Sequence, residues 1–230
     1  LPMATPDLRM QPGPHVFVDN LDVPILSSDD HHHLSRSLRL RHDDPLTLSD
    51  ARGKWRAAVF GDSIEPTGPV YEVDAAPYRL GLGVALTKAT KPEFAVQKAT
   101  EIGIDEVVVF PAEHSVARWD ESKRVRNQQR LLKVAREAAM QSRRVRIPTV
   151  EVVENLGSLV GRRGLARADF GGIPINSGHR FILIGPEGGW SDRERAMVPA
   201  VADLGPTVLR AETAAVVASA FLVNSLVRGD

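Results

Sequence analysis

A chain of 230 residues with 43% hydrophobic and 25% charged side chains holds enough apolar material for one large domain or two smaller ones. The complete lack of cysteine excludes disulfide frameworks, thiolate metal sites and cysteine nucleophiles, and it fits a reducing, cytoplasmic compartment. No apolar run reaches the roughly 18 residues of a membrane span, no signal-peptide pattern is read at the start, and 29 basic side chains balance 29 acidic ones, so a nucleic-acid contact would need a local basic face.

Residues 1–75 read as a small β-rich domain. His15–Val18, Pro45–Leu48 and Trp55–Phe60 are short strand-like runs, and Asp50-Ala-Arg-Gly53 is a hairpin turn. Ser28 to Asp30 offer N-caps for a helix running through His33, Leu34, Leu38 and Leu40. The adjacent histidines His31, His32 and His33 point about 100° apart on such a helix, so they do not converge on one metal ion, and no metal site is expected. Gly61–Pro69 is loop-like, and Ala75-Ala-Pro77 marks the boundary of a second domain, residues 76–230.

In that second domain strands alternate with helices, which predicts a mostly parallel α/β sheet. Leu80–Leu86, Val107–Phe110 and Phe181–Ile184 are buried-strand runs, and Thr207–Leu209 is a shorter one. Pro92 suits a first helical turn and Gly103 a helix stop. Residues 122–142 form a long helix with Val125, Gln128, Leu132, Ala135 and Ala139 along its apolar stripe. Between Pro148 and Phe181 only Thr149–Val153 looks strand-like, and Gly171-Gly172 to Gly178 reads as irregular loop. Ser191 and Glu194 form a capping box, and a last helix spans about Glu212 to Val227.

Two segments carry chemistry. Gly185-Pro-Glu-Gly-Gly189 opens directly from an apolar strand, where α/β sheets bind ligands and glycine permits close approach. It lacks the Gly-Lys-Ser/Thr ending of a phosphate loop, and Gly81-Leu-Gly83 lacks the third glycine of a dinucleotide fingerprint. Leu204-Gly-Pro-Thr-Val-Leu-Arg-Ala-Glu-Thr213 puts Arg210 and Glu212 at the mouth of an apolar helix, where a simple capping ion pair is the competing explanation. A third feature is basic: residues 118–146 hold ten Lys/Arg against three acids.

Ile184-Gly-Pro-Glu-Gly-Gly-Trp-Ser191 with Glu194, and Leu204-Gly-Pro through Leu209-Arg-Ala-Glu-Thr-Ala214, resemble the two hallmark segments of the RsmE family of small-subunit ribosomal RNA methyltransferases. Gln97-Lys-Ala-Thr-Glu-Ile-Gly103, Arg136-Glu-Ala-Ala-Met-Gln-Ser-Arg-Arg144 and His33-Leu-Ser-Arg-Ser-Leu-Arg-Leu40 agree with the same pattern. The chain departs from it at His15, His114 and Thr207, where arginines are more usual.

The resemblance implies a PUA-like RNA-binding domain followed by a SPOUT-type α/β domain with a deep C-terminal trefoil knot, working as a homodimer. It implies S-adenosylmethionine as cofactor and methylation of a uridine N3 in 16S ribosomal RNA or the small subunit. Ribose 2′-O-methylation and a non-catalytic RNA-binding assembly factor are the alternatives. Carried over by motif, Leu183, Ile184, Gly185, Pro186, Gly188 and Gly189 would hold the cofactor with Leu204, Gly205, Leu209, Arg210 and Thr213. Arg210 would stabilise the uridine imide anion, and Glu187 or Glu212 would assist proton removal. Arg36, Arg39, Arg41, Arg143 and Arg144 would track the RNA backbone.

Overall fold

The computed structural model describes residues 5–87 and 91–227. It contains two compact units, Leu1–Ala76 with Ala139–Ile147, and Pro77–Ala138 with Pro148–Asp230.

In the first unit Asp50 shapes the central hairpin: its Oδ1 accepts the backbone N–H groups of Arg52, Gly53 and Lys54 at 2.7, 3.0 and 3.0 Å. The flanking strands β2 (Pro45–Ser49) and β3 (Lys54–Val59) pair antiparallel, while β1 (His15–Phe17) runs parallel to β2. Two short strands, β4 (Glu65–Pro66) within the segment expected as loop and β5 (Tyr71–Glu72), complete the sheet against β3. Val16, Leu34, Leu46, Leu48 and Phe60 fill the core, with Met140 packed on it.

Helix α1 (Ser28–His32) starts one residue earlier than the expected caps, on Ser27, whose Oγ accepts the Asp30 N–H at 3.1 Å. A single π-helical turn carries the chain only to Ser37, so the helix expected to run through Leu38 and Leu40 is shorter. The cause is Arg39, whose φ of +57° is left-handed and turns the chain.

Buried His15 ties this unit together. Its Nδ1 meets Thr47 Oγ1 at 2.9 Å and its Nε2 lies 3.1 Å from the Arg144 carbonyl. A carbonyl only accepts, so Nε2 carries the proton and Nδ1 receives the hydroxyl. Burial pushes the imidazole down to about 4. The stabilisation from a neutral His15 is complete above its unfolded value of about 6.5 and is lost as pH falls toward 4. Denaturant titrations should show a loss of about 2 kcal/mol between pH 7 and pH 5 that disappears in His15→Gln. An unchanged pH dependence in that variant would remove His15 as its source.

The second unit is a six-stranded, fully parallel sheet in the order β11-β9-β10-β6-β7-β8. Its strands are β6 (Gly81–Ala85), β7 (Glu106–Phe110), β8 (Thr149–Val152), β9 (Leu165–Pro174), β10 (Phe181–Ile184) and β11 (Val201–Asp203). The middle strands are buried on both faces, as their unbroken apolar runs require. Gly81 is glycine because the Phe181 ring fills its side-chain space: a Cβ there would stand 2.1 Å from Cδ2.

Helices α2 (Lys91–Ile102) and α5 (Ala211–Val227) pack together, and the short α4 (Asp192–Met197) follows the β10 loop. Helix α3 (Glu121–Gln141) buries Leu131, Ala135, Ala138 and Ala139, at i, i+4, i+7 and i+8. Val125 and Leu132 from the expected stripe are 51% and 40% exposed. Leu132 lies one residue, about 100°, beyond the buried Leu131.

Strand β9 replaces what the sequence presented as irregular loop. Its interior carries Arg167, Asp169 and two glycines, which hide the β pattern. The buried Arg167 guanidinium is satisfied by the Val198 and Arg195 carbonyls and by Asp169. Against β11 the register jumps from Arg167 to Ile173 across one step, a large bulge that carries residues 168–172 out of that ladder. The strand expected at Thr207–Leu209 is instead β11, six residues earlier; Gly205 at φ +127° and Pro206 take the chain out of the sheet, and no strand forms at 207–209.

Candidate functional site

The loops after β10 and β11 and the bulge of β9 meet around a cavity of about 360 Å³. This is the carboxyl edge of the parallel sheet, where strand ends leave backbone polar groups free to meet a ligand. Ile184, Gly185, Pro186, Glu187 and Gly189 line one side, and Leu204, Gly205, Leu209 and Arg210 line the other. The two motif segments, some twenty positions apart, therefore build one site.

Four residues expected in the site stand outside its wall. Leu183 is fully buried in the core with Phe110 and Phe181, because neighbouring strand residues point to opposite faces and Ile184 takes the cavity side. Gly188 faces His114: a Cβ there would come within 2.9 Å of the His114 Cβ, so its glycine serves loop packing. Glu212 and Thr213 sit on the first turn of α5 between Ala211 and Ala214, which do line the cavity, but are not themselves part of its wall, and Thr213 is exposed.

Arg210 precedes α5 and gives its carbonyl to the Ala214 N–H at 2.8 Å. Its guanidinium makes no ion pair among the described residues, so the pair with Glu212 that would explain it structurally is absent there. Asp203 Oδ1 accepts the Gly205 N–H at 2.9 Å, turning the chain into the second loop.

Several wall residues escaped the sequence reading. Ala168, Asp169 and Phe170 arrive through the β9 bulge, and Trp190 through the turn closed by Gly189 N–H to Pro186 O at 2.9 Å. The Trp190 indole N–H donates to the Ala168 carbonyl at 3.0 Å and its ring stacks on Phe110, centroids 6.2 Å apart. Asp169 is clamped by Arg195 and by Arg167 Nε at 3.4 Å. At the rim, Phe170 and Val208 are 62% and 81% exposed.

The first loop is braced from below. The capping box is present, and its buried Glu194 does more than cap α4: Oε2 accepts the Ser191 N–H at 3.0 Å, and Oε1 accepts the Glu113 N–H at 2.9 Å. Beside it His114 Nδ1 lies 3.1 Å from both the Gly188 and the Gly189 carbonyls. Two acceptors fix the proton on Nδ1. Residues 113–114 thus clamp the turn that lines the cavity.

The basic residues are less free than their number suggests. In the first unit the Arg143 guanidinium is committed to the Leu8 and Gly13 carbonyls, and Arg146 Nη2 donates to the Val73 carbonyl at 2.7 Å. Arg144 gives its carbonyl to His15. In the second unit Arg124 pairs with Glu121 and Glu154, and Arg130 with Glu93. Arg36, Arg39 and Arg41 are exposed. Among the described residues no cluster of three or more His, Cys, Asp or Glu could hold a metal ion, and no helix is long and apolar enough to cross a membrane.

The RNA methyltransferase domain family matches residues 74–223. The chain is 32% identical over 239 aligned positions to the ribosomal RNA small subunit methyltransferase E of Mycobacterium tuberculosis, covering 88% of each chain. It is 30% identical over 179 positions to the protein of that name from Bacillus subtilis, covering 67% of this chain and 70% of that one. Among solved structures, a methyltransferase from Legionella pneumophila with bound cofactor SAM superposes with a TM-score of 0.80 at 24% identity, covering 91% of this chain and 96% of that one. The ribosomal RNA small subunit methyltransferase E of Neisseria gonorrhoeae, bound to S-adenosyl methionine, does so at 0.74 and 22%, covering 92% and 97%.

Proposed function

The chain belongs to the RNA methyltransferase domain family, and within it to the ribosomal RNA small subunit methyltransferase E group; on that premise we propose that it uses S-adenosylmethionine to methylate N3 of a uridine in 16S ribosomal RNA. The observation that carries the reading is the convergence of both glycine/proline loops on one cavity at the carboxyl edge of the sheet.

The cavity suits that cofactor. Ile184, Leu204 and Leu209 offer apolar walls for a flat adenine, and the volume falls within the range of small-molecule sites. At Gly189 and Gly205, φ is +73° and +127° and an added Cβ meets nothing within 4 Å, so the backbone itself borders the open space. Bound there, S-adenosylmethionine supplies an electrophilic methyl group on a sulfonium.

This chain's residues must orient the uridine and manage one proton. N3 of uracil is a poor nucleophile while protonated, so the site has to remove that proton or stabilise the imide anion. The Arg210 guanidinium holds the charge spreading onto O2 or O4. Glu187 lines the cavity and Glu212 does not, so Glu187 is the carboxylate assigned to proton removal. A base within folded RNA must also leave its stack to reach the cavity.

The reading extends to the architecture and setting. The first unit acts as a PUA-like RNA-binding domain, with exposed Arg36, Arg39 and Arg41 toward the phosphate backbone. The loops after β10 and β11 form a trefoil knot, supported by their shared cavity and by β11 returning to pair with β9. The active form is a homodimer, supported by the exposed Phe170 and Val208 at the cavity rim and the exposed Phe221 on the largely apolar α5, and it works in the cytoplasm, where its RNA substrate is made. Light scattering showing only monomer at micromolar concentration would contradict the dimer.

Incubating the full chain with S-adenosylmethionine and small subunits lacking the modification tests the reaction, with nucleoside digestion and mass spectrometry of the product. The expected product is 3-methyluridine. A 2′-O-methylated nucleoside would replace this reading with the ribose one, and no methylation beside normal RNA binding would favour an assembly factor.

A further inference from the structure

A second cavity, about 340 Å³, opens at the carboxyl ends of β6, β7 and β8. Leu86, Pro111 and Val153 give it an apolar floor, and Trp119, Glu113 and Glu154 stand in its walls. The chain has three tryptophans; Trp55 and Trp190 are buried, while Trp119 is half-exposed on this open pocket.

The walls specify a chemistry. An indole in the wall of an open cavity favours a flat aromatic ring, and stacking of a base on an aromatic residue is a general mode of single-stranded RNA recognition. Glu154 already meets Arg124 at 2.9 Å and Glu113 stands 3.8 Å from Arg193, and the lone pairs each carboxylate keeps accept hydrogen bonds and never donate, so the ring edge that meets them must present N–H groups. Arg118 supplies a fixed positive charge. Its guanidinium is held by the Ala112 carbonyl at 2.7 Å and the Glu113 carbonyl at 3.0 Å, and it makes no ion pair among the described residues. Arg124, by contrast, is already matched by Glu121 and Glu154. An aromatic face, an acceptor edge and one unmatched guanidinium together fit a nucleotide.

We infer that this cavity binds one nucleotide of the RNA substrate distinct from the methyl acceptor, its base stacked on Trp119, its N–H edge toward Glu113 and Glu154, and its phosphate at Arg118. The inference rests on the RNA-methylating function proposed above. Guanine fits best, because its N1–H and amino group present adjacent donors to a carboxylate. Uracil fits poorly, since its one N–H lies between two carbonyls that the carboxylates repel. The wall is tied to the loop of the first cavity, because Glu113 donates its N–H to Glu194 and the next residue, His114, holds Gly188 and Gly189. A base seated here would fix the distance along the RNA to the uridine offered to the first cavity.

Tryptophan fluorescence tests the inference without requiring turnover. Guanosine 5′-monophosphate should quench the full chain saturably, uridine 5′-monophosphate should need at least about five times the concentration, and Trp119→Phe should abolish the quenching. In methylation assays Trp119→Ala should raise KM for the RNA roughly tenfold or more with S-adenosylmethionine affinity unchanged, and Trp119→Phe should recover most of the loss. Absence of quenching in the wild-type chain, quenching that persists in Trp119→Phe, or an unchanged KM in Trp119→Ala overturns the inference. Failure of the wild-type chain to methylate small-subunit RNA would instead count against the proposed reaction, and the fluorescence result would still decide whether the pocket takes a nucleotide.

Discussion

Arg210→Ala is expected to lower single-turnover methylation on the order of a hundredfold while cofactor affinity changes little. Arg210 lines the cavity at the start of α5 and makes no ion pair among the described residues, so its charge is available to the reacting base. Negative charge appears on the uracil oxygens as N3 loses its proton, and a fixed guanidinium stabilises it most at that point, when water is excluded. Arg210→Lys keeps the charge but loses the planar fork, and should fall between wild type and alanine. A purely structural Arg210 would show a different pattern, with thermal stability and cofactor affinity falling together with the rate. Normal turnover in the alanine variant would remove Arg210 from the mechanism.

Glu194→Ala should cost about 4 kcal/mol of stability, because two backbone N–H groups lose their acceptor and each buried orphan costs roughly 1–3 kcal/mol. The side chain is 3% exposed and joins Ser191 of the cavity loop to Glu113 of the neighbouring loop. The variant should melt on the order of 10 °C lower and bind S-adenosylmethionine more weakly, since the turn at Gly188–Gly189 loses one of its two braces. Glu194→Gln retains one acceptor oxygen and should lose about half as much. Thermal melts and calorimetry check both; an alanine variant as stable as wild type would show that water replaces the carboxylate without loss.

Much of the sheet was legible because its strands advertise themselves. Leu80–Leu86, Val107–Phe110 and Phe181–Ile184 are apolar runs bounded by turn residues, and the structure buries each. The capping box at Ser191 and Glu194 was legible for the same reason: its two partners are three residues apart. Long-range relations were not. β9 hides its strand character behind Arg167 and Asp169, which pair with each other and whose remaining partners lie some 26 to 31 positions away. With β9 unseen, Asp169 and Phe170 could not be assigned to the cavity. Gly188 shows a subtler limit: the glycine pattern marked a close approach, but only the fold reveals that His114 is what approaches. The basic block at 118–146 is legible as a count of charges, but not which of its guanidinium groups are committed: Arg143 and Arg146 donate to carbonyl groups far along the chain.

Helix α3 leaves one unit and ends in the other: residues 139–147, which follow 62 residues of the second unit in sequence, supply the first with Met140, the Arg143 guanidinium and the carbonyl that receives His15. The amino-terminal unit is therefore not a cassette that can be cut out at Ala76 and grafted elsewhere. Recombination that exchanged residues 1–76 between relatives would import a β-unit without the strap it is built around, and only swaps carrying both pieces would keep it whole. Drift in the two pieces is correspondingly tied, so a change at His15 is tolerated or rejected according to what the distant Arg144 backbone can still accept.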